Sequence, residues 1–141
     1  MTSNLVHCVF STRDRTDTIP DPPELGRYLG GVAREKKIPL IIAGGTNNHV
    51  HLLIALPAAV PLAKAVQELK GNSSRWLNKA DLSFTWQEGY AAFSVSKSGI
   101  DRVVRYIEQQ EEHHRRVTYQ EEVRRFLGEH GMERDEHYMW E

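Results

Sequence analysis

One cysteine, Cys8, stands in a chain of 141 residues. A single thiol excludes an internal disulfide framework and a cysteine-rich zinc site, and it suits a reducing compartment. No apolar run approaches the roughly 20 residues that a membrane-spanning helix needs. The opening stretch "MTSNLVHCVFSTRDR" lacks a basic segment followed by a long apolar one, so no secretory signal is read there. The expected location is the cytoplasm. Net charge is small as well: 18 Lys and Arg against 19 Asp and Glu leave −1. A uniformly basic surface is thereby excluded, but the distribution is uneven. Residues 117–141 hold three Arg and seven acids, net −4, so residues 1–116 are net +3. An acidic tail on a mildly basic body leaves room for a local phosphate-binding face. What is present in quantity is apolar: hydrophobic residues make up 40% of the chain, the share of a folded protein. The length fits one domain, 1–141.

The pattern along the chain predicts alternating strands and helices. "NLVHCVF" (4–10) reads as a first strand, followed by a polar loop whose prolines suit a helix start. Leu25, Leu29 and Val32 recur at helical spacing over 24–37, although Gly30 and Gly31 weaken that helix. "PLIIAGGT" (39–46) and "HVHLLIAL" (49–56) read as strands joined by a tight turn at "TNN". A helix from about Pro61 to Asn78 turns Leu62, Val66, Leu69 and Trp76 inward. The aromatic stretch 83–96 reads as a strand with Gly89 marking a bulge. Helices are predicted at 99–116 and 118–131, the second with Thr118 and Glu121 in capping-box spacing. The order β-α-β-β-α-β followed by helices is the split βαβ arrangement. The expected fold is α+β and ferredoxin-like, an antiparallel sheet with helices on one face plus C-terminal helices.

His49 and His51 lie two positions apart on a strand, so their side chains project from one face while Val50, Leu52 and Ile54 pack behind. Paired imidazoles on a rigid strand can chelate one divalent ion. An H-x-H pair also arises by chance in a chain with seven histidines, and a hydrogen-bonded pair without metal is the plainer reading. The helix at 99–116 adds to it. Tyr106 and Gln110, at i and i+4, share a helix face that His114 continues, and Val103, Val104 and Ile107 supply the core side. An ion held by His49, His51 and the Gln110 oxygen polarises a phosphate, and Tyr106 then serves as a covalent nucleophile. Read alone, Tyr106 is more commonly a helix tyrosine half-buried against the sheet.

In this order, "HVHLL", "KGNSSRWL", "WQEGYAAFSVS" and "YIEQQEEHH" resemble the single-tyrosine HUH transposases, the short enzymes of the smallest bacterial insertion sequences. The resemblance runs from about residue 4 to Trp140. It implies His49, His51 and Gln110 as ligands of Mg²⁺ or Mn²⁺ and Tyr106 as the nucleophile. It implies cleavage of single-stranded DNA to a 5′-phosphotyrosine and a free 3′-OH, and rejoining without ATP. It further implies recognition of hairpins near the element ends, and a homodimer in which one chain gives the histidines and the other gives Tyr106. No nucleotide cofactor and no membrane partner are expected.

Other positions are open to more than one reading. Lys64, Lys70, Arg75 and Lys79, on or near one helix, suit either phosphate contacts or a solvated face. Trp76 and Trp86 suit packing better than base stacking. His113 and His114 are weak candidates as further ligands, and Tyr90 and Tyr119 lack a Gln at i+4. Three competing functions remain: a domesticated HUH nicking nuclease, a non-catalytic nucleic-acid binder on the same fold, and a metal-binding protein with no nucleic acid. An RNA-recognition sheet would carry stacking aromatics where this strand carries histidines.

Overall fold

The computed structural model describes residues 3–79, 83–110 and 121–125. Its elements run β1 (Ser3–Ser11), α1 (Pro22–Glu35), β2 (Leu40–Gly45), β3 (His49–Pro57), α2 (Leu62–Leu77), β4 (Ala91–Ser94) and α3 (Ile100–Glu108). The four strands form one antiparallel sheet in the order β2-β3-β1-β4, the ferredoxin-like order. Residues 121–125 form a further helical stretch.

Local chemistry fixes the first helix. Asp21 caps α1, its carboxylate accepting from the Glu24 amide at 3.1 Å, and Pro22 and Pro23 occupy positions where no intrahelical donor is needed. Leu25, Leu29, Val32 and Ala33 then fall on one buried stripe. Lys37, with φ at 60°, ends the helix. The two strands β2 and β3 join through Thr46–Asn48, where the Thr46 amide donates to the His49 carbonyl at 3.0 Å.

Alternation along β1 and β3 divides the interior in two. Cys8, Phe10, Val50, Leu52 and Ile54 point to the side covered by α1 and α2, joining Leu25, Leu29, Val66 and Leu69 in the main core. Each fully buried aliphatic side chain there contributes about 1.5–3 kcal/mol of transfer free energy. Burial pushes the Cys8 thiol up to about 12, so it behaves as a small apolar side chain. The opposite side of the sheet carries His7, His49, His51, Leu53 and Phe93, all buried. The first two helices thus share one face, and α3 packs on the other, against β2 and β3.

Gly44 makes that docking close. A Cβ built on it would stand 2.4 Å from the Ile107 carbonyl oxygen and 2.9 Å from the Ile107 side chain. Only a residue without a side chain lets α3 settle there.

Two elements differ from the sequence expectation. The strand expected at 83–96 is confined to Ala91–Ser94, with a single bridge between Thr12 and Trp86 ahead of it. The aromatics Phe84 and Trp86 bury themselves from a loop instead, Trp86 meeting Phe10 and Phe84 edge-on at 4.8 and 4.9 Å. The Lys70 ammonium donates to the carbonyls of Gln87 and Gly89, at 2.8 and 3.0 Å, so α2 supplies partners that a strand neighbour would otherwise supply. Gly89 takes φ 84° ahead of β4, outside any strand, so it marks no strand bulge. The helix expected at 99–116 is found over Ile100–Glu108 and is interrupted at Gln109, which takes φ −102° and ψ 20°, before Gln110 returns to helix. Of its expected core face, Ile107 is buried and Val103 and Val104 are half-buried. Residues 111–116, with His113 and His114, lie outside the described residues, as do Tyr119 and most of the helix expected at 118–131.

Candidate active site

β3 is a central strand paired on both sides, so His49 and His51 stand on the stiffest part of the sheet. Their relative exposures are 1% and 0%. Burying imidazoles costs free energy unless each nitrogen finds a partner. At His49, Nδ1 lies 2.7 Å from the Asn48 side-chain oxygen and 3.1 Å from the Thr46 hydroxyl, both in the turn that opens the strand. An amide oxygen can only accept, so His49 Nδ1 carries the hydrogen and its Nε2 presents a lone pair. His51 is held the same way from below: its Nδ1 lies 2.8 Å from Nε2 of His7 on β1.

The Nε2 atoms face the groups above the sheet. His49 Nε2 is 3.2 Å from the Gln110 side-chain oxygen, and His51 Nε2 is 2.9 Å from Glu122 Oε1. Glu122 Oε1 is also 3.7 Å from His49 Nε2. The Gln110 amide nitrogen donates to Glu122 Oε2 at 3.3 Å and to the Tyr106 carbonyl at 3.2 Å, which orients the Gln110 oxygen toward His49. Gln110 and Glu122 are each 1% exposed. Burial pushes the Glu122 carboxyl up to about 8, with the charge of Arg125 pulling it the other way.

These donors fit a divalent ion. The candidate ligand atoms of His49, His51 and Glu122 all lie within 4.8 Å of one another. Two ligands at the roughly 2.0–2.1 Å that Mg²⁺ demands stand about 3 Å apart when adjacent and about 4 Å apart when opposite, and Glu122 Oε1 lies 2.9 Å from His51 Nε2 and 3.7 Å from His49 Nε2, within that span. The contact between His49 Nε2 and the Gln110 oxygen sets a lone pair against a lone pair at 3.2 Å, and only a proton or a cation makes such a contact favourable. A carboxylate, an amide oxygen and imidazoles suit Mg²⁺ or Mn²⁺ better than a thiolate-seeking metal.

Tyr106 lies beside this cluster. Its ring centroid is 5.5 Å from that of His51 and 6.2 Å from that of His7, edge-on to both. Tyr106 is half-buried, where Gln110 is fully buried. The contact between Tyr106 and His51 lies within one chain, whereas the resemblance favours a tyrosine supplied by a partner.

Four sequence candidates, His49, His51, Tyr106 and Gln110, therefore converge. The four basic residues do not join them, since α2 lies on the opposite face of the sheet. Lys64 is exposed and 3.9 Å from Glu68, and Arg75 donates to the Asn72 side chain at 3.1 Å. Lys79 is exposed just beyond the helix. Lys70 turns inward to two backbone carbonyls. Trp76 stacks on Tyr28 at 4.4 Å and the buried Trp86 donates to the Ser73 hydroxyl at 3.0 Å, so both pack as expected. Tyr90 packs against the main core. His7 and Glu122 escaped the sequence reading. An imidazole inside the apolar run of the first strand was a signal for His7; a lone acid in an acidic segment gave none for Glu122.

Comparison with known proteins gives a consistent result. The family described as "Transposase IS200 like" matches residues 1–110. A crystal structure of a candidate transposase from Deinococcus radiodurans R1 superposes with a TM-score of 0.63 at 22% identity, covering 78% of this chain and 92% of that one. A REP-associated tyrosine transposase bound to a REP hairpin superposes with a TM-score of 0.61 at 15% identity, covering 77% of this chain and 67% of that one. At these identities the likeness concerns the fold. No curated protein matches the chain. Among the described residues, no helix is long and apolar enough to cross a membrane.

Proposed function

The chain belongs to the IS200-like transposase family, and from that premise we propose that it cleaves and rejoins single-stranded DNA at insertion-sequence ends through a phosphotyrosine intermediate. The observation that carries this reading is the position of Tyr106, its ring 5.5 Å from that of His51 at the edge of a buried metal-binding set. A structural tyrosine needs no such neighbour.

His49, His51 and Gln110 would hold Mg²⁺ or Mn²⁺. When bound, the ion polarises the scissile phosphate and lowers the pKa of a nearby phenol. Tyr106 gives up its phenolic proton and its oxygen forms a bond to phosphorus. The 3′-oxygen leaves and takes up a proton, giving a 5′-phosphotyrosine and a free 3′-OH. Attack by a 3′-OH on that linkage reverses the step, so the bond energy is retained and no ATP is needed. The attack needs a backbone that can bend into the site, which favours a single strand over a duplex.

Hairpin DNA is the proposed recognition element, in keeping with the hairpin bound by the REP-associated neighbour. Lys64, Arg75 and Lys79 are proposed phosphate contacts. Lying across the sheet from the tyrosine, they would meet a part of the DNA other than the scissile phosphate. Lys70 is assigned to holding the 87–89 loop instead. A homodimer remains part of the proposal, with each chain carrying its own complete site.

The test is incubation with hairpin-bearing single-stranded DNA and Mn²⁺, followed by denaturing electrophoresis. A covalent protein–DNA band is expected from the native chain. Tyr106→Phe should bind the DNA and give no band, and the same sequence as a perfect duplex should not be cleaved. An adduct of normal yield from Tyr106→Phe would move the nucleophile elsewhere.

A further inference from the structure

Two imidazoles and an amide oxygen bring no negative charge to a divalent ion, yet the cluster contains a carboxylate that the tyrosine helix does not supply. Glu122 comes from the helical stretch at 121–125, and its two oxygens divide between the ligands: Oε1 lies 2.9 Å from His51 Nε2 and 3.7 Å from His49 Nε2, while Oε2 accepts from the Gln110 amide at 3.3 Å. Oε1 thus occupies the side of the cluster where all the candidate ligand atoms converge.

The burial adds a second constraint. His49, His51, Gln110 and Glu122 are each 1% exposed or less. A phosphodiester is part of a bulky, hydrated polymer, and it cannot reach ligands closed in to that degree. Some cover must therefore leave before DNA enters. His49 and His51 cannot leave, being fixed on a doubly paired strand and anchored through Asn48, Thr46 and His7. Gln110 stands one turn from Tyr106 and bonds to its carbonyl, so displacing it would displace the nucleophile's helix. Glu122 is carried by neither the paired strand nor the tyrosine helix, and its contacts to His51 and Gln110 are made through side-chain oxygens that an incoming phosphate oxygen can replace.

We propose that Glu122 is a fourth, anionic ligand of this centre that stands in the place of the scissile phosphate. The DNA-free chain binds its ion with the carboxylate, and the incoming phosphate, also an anionic oxygen donor, exchanges with it. The proposal rests on the metal-assisted cleavage proposed above, and its first test needs no DNA.

Calorimetric titration of the DNA-free protein with Mn²⁺ should show weaker binding in Glu122→Gln and Glu122→Ala. A loss of at least about tenfold is expected, the lower end of what even an outer-shell partner contributes. The Gln variant keeps the volume and hydrogen-bonding capacity of the native residue, so a fold defect would separate the two variants by circular dichroism. Unchanged affinity in both variants overturns the ligand role. Hydrogen exchange over 121–125 gives a readout without a Glu122 substitution. Mn²⁺ should protect these amides, and adding single-stranded DNA to the Mn²⁺-loaded Tyr106→Phe chain should remove the protection. Protection that persists with DNA bound refutes the exchange, and failure of the native chain to form the covalent adduct counts against the function alone.

Discussion

Nε2 of His7 lies 2.8 Å from Nδ1 of His51, with both rings buried. The contact follows from the sheet register. His7 pairs with Leu53 and Val9 pairs with His51, so the two histidines are diagonal neighbours on one face. For His51 to offer Nε2 to an ion, its Nδ1 must carry the hydrogen and donate it, and His7 must accept. His7→Phe keeps the ring and removes the acceptor. Mn²⁺ affinity should fall roughly 10–100-fold, and stability by about 1–3 kcal/mol for the buried donor left unpaired. His7→Gln, which can still accept, should recover affinity in the same titration. If the Phe variant binds Mn²⁺ normally, His7 is only packing.

The ligands themselves should rank unequally. His49→Ala or His51→Ala removes half of the imidazole platform and should abolish most Mn²⁺ binding and cleavage. Gln110→Ala should be milder, because water can replace a neutral amide oxygen. Parallel titrations of the three variants decide the order. Equal affinity throughout would make the histidines structural.

Subunit exchange tests whether the site is contained in one chain. Mix His49→Ala chains with Tyr106→Phe chains, each inactive alone. The Tyr106–His51 ring contact lies within one chain, so the mixture should stay inactive after proven exchange. Recovered cleavage would mean that the tyrosine helix docks on a partner's sheet, the arrangement the family resemblance favours.

A fourth expectation concerns Lys70, whose ammonium is pushed down to about 8 by burial against a partly opposing pull from Glu88. The unfolded lysine holds its proton more tightly than the folded one. Stability therefore rises with pH between about 8 and the ordinary lysine value near 10.4. Lys70→Met removes that contribution together with the two carbonyl contacts. Thermal melts at pH 7 and pH 9.5 should show the native chain gaining on the variant at the higher pH. A gap that stays constant means Lys70 is not perturbed by its surroundings.

Periodicity carried the fold where one face of an element decides its burial. The helix expected at 61–78 is found at Leu62–Leu77 and the strand expected at 49–56 at His49–Pro57, each with the anticipated residues inward. It misled where tertiary contacts replace a ladder. Phe84 and Trp86 have the composition of a strand, but they reach the core from a loop that Lys70 holds. At the site, spacing linked Tyr106 with Gln110, and His49 with His51. No local rule links His7 to His51, 44 positions away, or Glu122 to His51, 71 positions away. Those pairs exist only once the sheet and the helix over it are assembled.

The gap left by Gly44 acts as a shim of zero thickness. Backbone meets backbone there, with Ile107 directly overhead, one residue after Tyr106 and three before Gln110. A methyl group at position 44 would have to raise the helix or tilt it. Either movement carries the phenol and the amide oxygen away from two imidazoles that cannot follow. The tolerances of this machine are therefore set by an atom that is not there, in a residue with no chemistry of its own.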